Sequence, residues 1–155
     1  MTLTLVLDTS GSMAEEGKCL IARGIARTVE QYLRLTDSNI DLKLIAWGTE
    51  ARYVEWNRND EFPPEMLDCK GAVNVESLIT LLGKQPDGKV LFITDGFWPV
   101  NDAKILKRWK NELLPETLHV IKAGADSNPQ LKGTDVFSAE DLFAALDGWL
   151  ERGAV

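Results

Sequence analysis

Two short runs, LTLVL at residues 3–7 and VLFIT at residues 90–94, constrain this chain's fold more than any other feature, because each is apolar at four of five positions, on both faces of a strand, and each stops on an aspartate, Asp8 or Asp95. A strand with one wet face alternates apolar and polar side chains, whereas a continuous run is covered on both faces, the condition of a parallel strand between two layers of helix. Short apolar runs alternate with helical patterns along the rest of the chain, which predicts an α/β fold built on a mostly parallel sheet.

Residues 14–35 place Ile21, Ile25, Thr28, Val29 and Tyr32 at helical spacing and predict a first amphipathic helix. Residues 41–47 and 52–56 are joined only by Gly48, Thr49, Glu50 and Ala51. A parallel crossover takes about a dozen residues, so this pair is predicted to be an antiparallel hairpin. Residues 57–71 carry Pro63 and Pro64 and read as a surface loop with one short helical turn. A short helix at 75–82 ends on Gly83, a helix at 102–113 follows the second apolar run, and strands are expected at 118–122 and 135–137. Residues 139–151 read as a closing helix with Ser138 as its N-cap, and 152–155 as a frayed tail. The length of 155 residues suits one domain, spanning 1–151.

Acids outnumber bases 24 to 17, for a formal charge of −7, with no basic stripe of the kind that neutralises phosphates, which argues against nucleic acid as a partner. A core strand begins within two residues of Met1 and leaves no room for a secretory leader, and no apolar run approaches the roughly 20 residues of a membrane span. The expectation is a soluble, cytoplasmic protein without membrane contact, in which Cys19 and Cys69, lacking metal-ligand spacing, are reduced and structural.

The turn after the first strand sets Asp8, Ser10 and Ser12 around Gly11. These are hard oxygen donors of the type Mg²⁺ prefers. In open α/β sheets the ligand crevice lies at the carboxyl ends of neighbouring strands whose crossovers diverge, so Asp8 and Asp95 converge if their strands are adjacent. Two like charges about 4 Å apart cost roughly 4 kcal/mol at an effective dielectric near 20, and a cation relieves that repulsion. Either aspartate by itself also reads as ordinary turn or cap chemistry; the pair together with both serines favours a cation site.

The segment Asp8-Thr9-Ser10-Gly11-Ser12-Met13 after an apolar strand resembles the DxSxS motif of the von Willebrand factor A domain family, and Ile93-Thr94-Asp95-Gly96 is similar to that family's second signature. The order of elements agrees along essentially the whole chain. The resemblance implies a doubly wound, Rossmann-like sheet of six strands, helices on both faces and one antiparallel edge strand, with a metal-ion-dependent adhesion site at its top. It implies Asp8, Ser10, Ser12 and Asp95 as ligands of Mg²⁺ or Mn²⁺, a partner carboxylate completing the shell, and an AAA-type ATPase or another subunit of a prokaryotic multiprotein system as partner. One departure stands out: where the family pattern resembles Gly-Gly-Thr-Asn this chain has Gly71-Ala72-Val73-Asn74, so Val73 replaces a hydroxyl ligand.

Phe97 and Trp98 follow Asp95 directly and are candidate partner-binding residues on the rim, with local packing as the alternative for Trp98. Trp109 and Trp149 sit at helical spacing and read as core, and the single histidine, His119, as a strand-end surface residue. No nucleophile–base arrangement or phosphate loop is evident, and the expectation is recognition without catalysis. Two alternatives stay open: a metal-independent scaffold with a vestigial site, and a Mg²⁺-dependent phosphatase using Asp8 as nucleophile.

Overall fold

A computed structural model describes residues 1–36 and 39–152. The strand β1 (Thr2–Asp8) and the strand β4 (Lys89–Thr94) are buried at every position. Leu3, Leu5 and Leu7 face one apolar layer and Val6 the other, as expected for a strand covered on both sides. The remaining strands are β2 (Asp41–Trp47), β3 (Ala51–Val54), β5 (Leu118–Lys122) and β6 (Val136–Ser138). They form one sheet of order β3-β2-β1-β4-β5-β6, parallel throughout except for the β2–β3 hairpin at one edge.

One layer packs Ala22, Ile25, Ala26, Val29 and Leu33 of α1 (Lys18–Leu35) with Trp149 against the Leu3–Leu5–Leu7 face. The other packs Val75 and Leu78 of α2 (Val75–Leu82) and Leu106 and Trp109 of α3 (Val100–Asn111) against Val6, Ile45 and Phe92. Each fully buried leucine or phenylalanine contributes on the order of 1.5–3 kcal/mol. No helix among the described residues is long and apolar enough to cross a membrane.

The structure corrects several local expectations. The first helix does not start at Ala14: a 3₁₀ segment, Gly11–Gly17, comes first and kinks at Glu15 and Glu16, so α1 is turned until Ile21 is exposed and Ala22 and Ala26 face inward. The closing helix is broken into a 3₁₀ turn (Ala139–Asp141), α4 (Leu142–Leu146) and a second 3₁₀ turn (Trp149–Glu151), because Gly148 adopts φ 75°, a left-handed conformation that cannot continue a helix. Ser138 does not cap the backbone; its hydroxyl donates to Asp141 Oδ2 at 3.0 Å. Arg152, read as part of a frayed tail, hydrogen-bonds through its backbone to Gly148, while residues 153–155 lie outside the described residues.

His119 is not on the surface. Its ring stacks on Trp149 with centroids 4.0 Å apart and planes 9° apart, and Nδ1 lies 2.9 Å from the Ala145 carbonyl oxygen. The burial of β5 at both faces outweighs the polarity of the imidazole, which finds its acceptor on α4. Cys19 and Cys69 are free thiols, both half-buried. Burial first, then the neighbouring Cys19 and Asp8, push the Cys69 thiol up to about 12 and hold it protonated.

Candidate metal site

The strand order puts β1 between β2 and β4, and the connections from β1 and to β4 leave on opposite sides, so the topological switch point lies where Asp8 and Asp95 emerge. Asp8 ends β1, almost fully buried. Its Oδ1 accepts the Ser10 backbone N–H at 2.8 Å and its Oδ2 the Thr94 hydroxyl at 2.6 Å. Thr94 Oγ1 in turn accepts the Gly96 N–H at 3.0 Å, so one short chain of hydrogen bonds ties the two strand ends together. Ser10 Oγ and Ser12 Oγ stand 3.2 Å apart and line a cavity of about 400 Å³ with Val73, Trp98 and Asn128.

Burial pushes the Asp8 carboxyl above the usual carboxylate range; hydrogen bonds from Ser10 and Thr94 oppose the shift and the charge of Asp95 adds to it. No cationic side chain among the described residues pairs with Asp8.

Asp95 is different. It is fully buried, its Oδ1 accepts the Phe97 N–H at 3.1 Å, and its Oδ2 lies 3.2 Å from Lys18 Nζ. Lys18 is only 1% exposed and reaches Asp126 Oδ2 as well, at 3.3 Å. Burial works against the Lys18 charge, but the hydrogen bond and charge of Asp95, followed by those of Asp126, outweigh it and hold the ammonium above the ordinary lysine range. The second carboxylate of the pair therefore has a cation of its own.

The sequence reading missed Lys18, Asp126, Thr94 and Asn128. A signal for Lys18 exists: it opens α1, where the helix dipole disfavours a cation and no acid shares the first turn, so a lysine there calls for a partner from elsewhere. Asn128 clasps the Asp95 turn from the loop after β5, its backbone N–H donating to the Asp95 carbonyl at 2.8 Å and its side-chain Nδ2 to the Gly96 carbonyl at 3.0 Å. Val73 is 5% exposed and packs into the layer that holds Trp47 and Val75. Phe97 is 44% exposed with Lys18 Nζ 5.2 Å from its ring centre. Trp98 is half-buried against Trp47, centroids 5.6 Å apart, and its indole N–H is buried without a partner.

The donor chemistry fits a small hard cation. Asp8 brings an uncompensated carboxylate and Ser10 and Ser12 bring two hydroxyls, close enough together to share one ion, while Val73 contributes nothing. Among the described residues no group of three or more His, Cys, Asp and Glu side chains gathers, so the set rests on hydroxyls.

No sequence-family model matches the chain, and no curated protein matches it in sequence. Solved structures do. The chain is similar to a von Willebrand factor type A protein from Catenulispora acidiphila, with TM-score 0.61 and 15% identity over 97% of this chain and 41% of that one. It is similar to the manganese-loaded TRAP protein of Plasmodium vivax, with TM-score 0.64 and 14% identity over 97% and 73% of the two chains. It is also similar to the conserved hypothetical protein BatB from Bacteroides thetaiotaomicron, with TM-score 0.54 and 16% identity over 79% and 66%. Strand order, switch point and these similarities agree: the chain is a domain of the von Willebrand factor A fold.

Proposed function

We propose that the chain is a cytoplasmic recognition module, without catalysis, that engages an acidic group of a partner protein through a divalent cation, Mg²⁺ or Mn²⁺, held by Asp8, Ser10 and Ser12 with Asp95 behind them. The observation that carries this reading is the buried Asp8 carboxylate, which has no cationic partner among the described residues and stands beside two hydroxyls that open onto a cavity. The similar TRAP structure is manganese-loaded, which supports the choice of ion. Bound there, the ion supplies positive charge that a carboxylate of the partner can share. Ser10 and Ser12 present the donors, the Thr94–Asp8 hydrogen bond fixes the carboxylate, and exposed Phe97 offers apolar contact on the rim. The partner in this reading is an AAA-type ATPase or another subunit of a prokaryotic multiprotein assembly, as the family resemblance implies.

Titration calorimetry with millimolar Mn²⁺ or Mg²⁺ tests the reading. Wild-type protein is expected to give a binding isotherm that Asp8→Ala loses, and identical traces for the two overturn it. The Lys18–Asp95 pair favours one second reading, a metal-independent scaffold in which an internal ammonium serves as the cation; partner capture that persists in chelator selects it.

A further inference from the structure

We propose that the groove between α3 and the loop after β5 binds an acidic segment of a partner protein, one that sets carboxylates against lysines and apolar side chains against the floor. The groove holds about 490 Å³ and sits beside the candidate metal site, sharing Trp98 and Asn128 with its cavity. This inference goes beyond the cation reading and does not depend on it.

Charge carries the argument. Among the described residues four lysines line the groove, Lys104, Lys107, Lys110 and Lys132, and no carboxylate does, although acids outnumber bases 24 to 17 in the chain as a whole. Lys110 is paired with Asp135 at 2.7 Å. Lys104, Lys107 and Lys132 are exposed and make no ion pair among the described residues. A same-sign cluster left unpaired on a protein of opposite net charge forms a local field that attracts and orients an anionic partner.

The floor selects among anions. It is built of Leu106, Leu131 and the half-buried Trp98, with Val100 73% exposed at its lip. Trp98 is half-buried in a tilted contact with Trp47, no other aromatic ring in the described lining is exposed, and no arginine stands there, so the described lining offers a nucleic-acid strand one partly covered ring at most. An extended segment alternating acidic and apolar residues matches lysine rim and aliphatic floor together.

The test uses fluorescence anisotropy in EDTA with a fluorescein-labelled dodecapeptide alternating glutamate and leucine. The wild-type chain is expected to bind it, to bind a glutamate–serine counterpart several-fold more weakly, and to lose about tenfold or more in affinity in the triple variant Lys104→Glu, Lys107→Glu, Lys132→Glu. The triple Lys→Gln variant keeps the fold if charge reversal disturbs it, which circular dichroism reports. The Trp98 indole N–H resonance, assigned through Trp98→Phe, is expected to shift on peptide addition. Unchanged affinity in both triple variants, or no binding by wild type, overturns the proposal. So does an oligothymidylate strand that binds more tightly than the peptide and through the same lysines, which makes the groove a nucleic-acid site. A silent Mn²⁺ titration with peptide binding intact overturns only the cation reading.

Discussion

A lysine in the first turn of a helix stands where the backbone dipole opposes it, and Lys18 is kept there by two carboxylates from distant parts of the chain. Because Asp95 is fully buried, removing the ammonium leaves a charge stranded in the interior. Breaking a buried pair on one side typically costs about 3–5 kcal/mol, so Lys18→Met is expected to lower the urea midpoint strongly, and a loss below about 1 kcal/mol contradicts the pairing. His119 makes a second residue-scale prediction. Burial lowers its pKa, opposed in part by the Ala145 carbonyl and Glu116. In the unfolded chain histidine titrates near about 6.5, so as pH falls the unfolded state takes up the proton first. The stability contributed by the neutral ring is complete above about 6.5 and is lost as pH falls toward the lowered folded value. Unfolding free energy measured from about pH 7.5 down to 5 is expected to decline, and His119→Phe to flatten that slope.

At the scale of elements, the end of β4 is the joint on which both candidate binding surfaces depend. Gly96 adopts φ 77°, and a Cβ there would stand 2.7 Å from Leu131 Cδ2, so the tight turn and the close approach of the loop after β5 both require glycine. Gly96→Ala is expected to cost about 1–3 kcal/mol in urea unfolding and to shift the Trp98 indole resonance, since the clash pushes Leu131 and Asn128 away from the turn. The helices show where local pattern is and is not sufficient. Helix α2 runs over the residues expected, with Asn74 Oδ1 accepting the Ser77 N–H at 3.1 Å as its cap. The closing segment does not, because φ 75° at Gly148 breaks a periodic apolar pattern that reads as continuous. The first helix starts late because Glu16 and Gly17 both take positive φ and end the 3₁₀ segment there.

For the whole molecule, the sheet brings the ends of β1 and β4 together with the segments that carry Ser10, Val73, Phe97 and Asn128, and a ligand that binds there only in the folded chain stabilises the entire domain. At ten times its dissociation constant, a cation that binds only the folded chain adds about 1.4 kcal/mol, roughly 3–6 °C in Tm for a domain of this size. Thermal melts with Mn²⁺ against EDTA are expected to show that increment in wild type and not in Asp8→Ala; equal melts in both buffers contradict a cation held by Asp8.

The parallel core, the hairpin edge and the position of both aspartates are written locally, in largely apolar runs such as LTLVL and VLFIT and in a connection of Gly48 to Ala51 too short to cross over. Hydrophobic periodicity and loop length act between near neighbours, so they can be read without knowing the fold. The electrostatics of the site cannot. Lys18 meets Asp95 across 77 residues, Asn128 reaches Gly96 across 32, and His119 meets the Ala145 carbonyl across 26. No local pattern encodes such pairings, because what makes each residue stable is the desolvated partner that the packed sheet and helices bring to it. The apolar runs thus place Asp8 and Asp95 at strand ends, and the strand order of the folded sheet makes those ends neighbours. That one carboxylate carries its own ammonium and the other is left for a ligand follows only once the chain has folded.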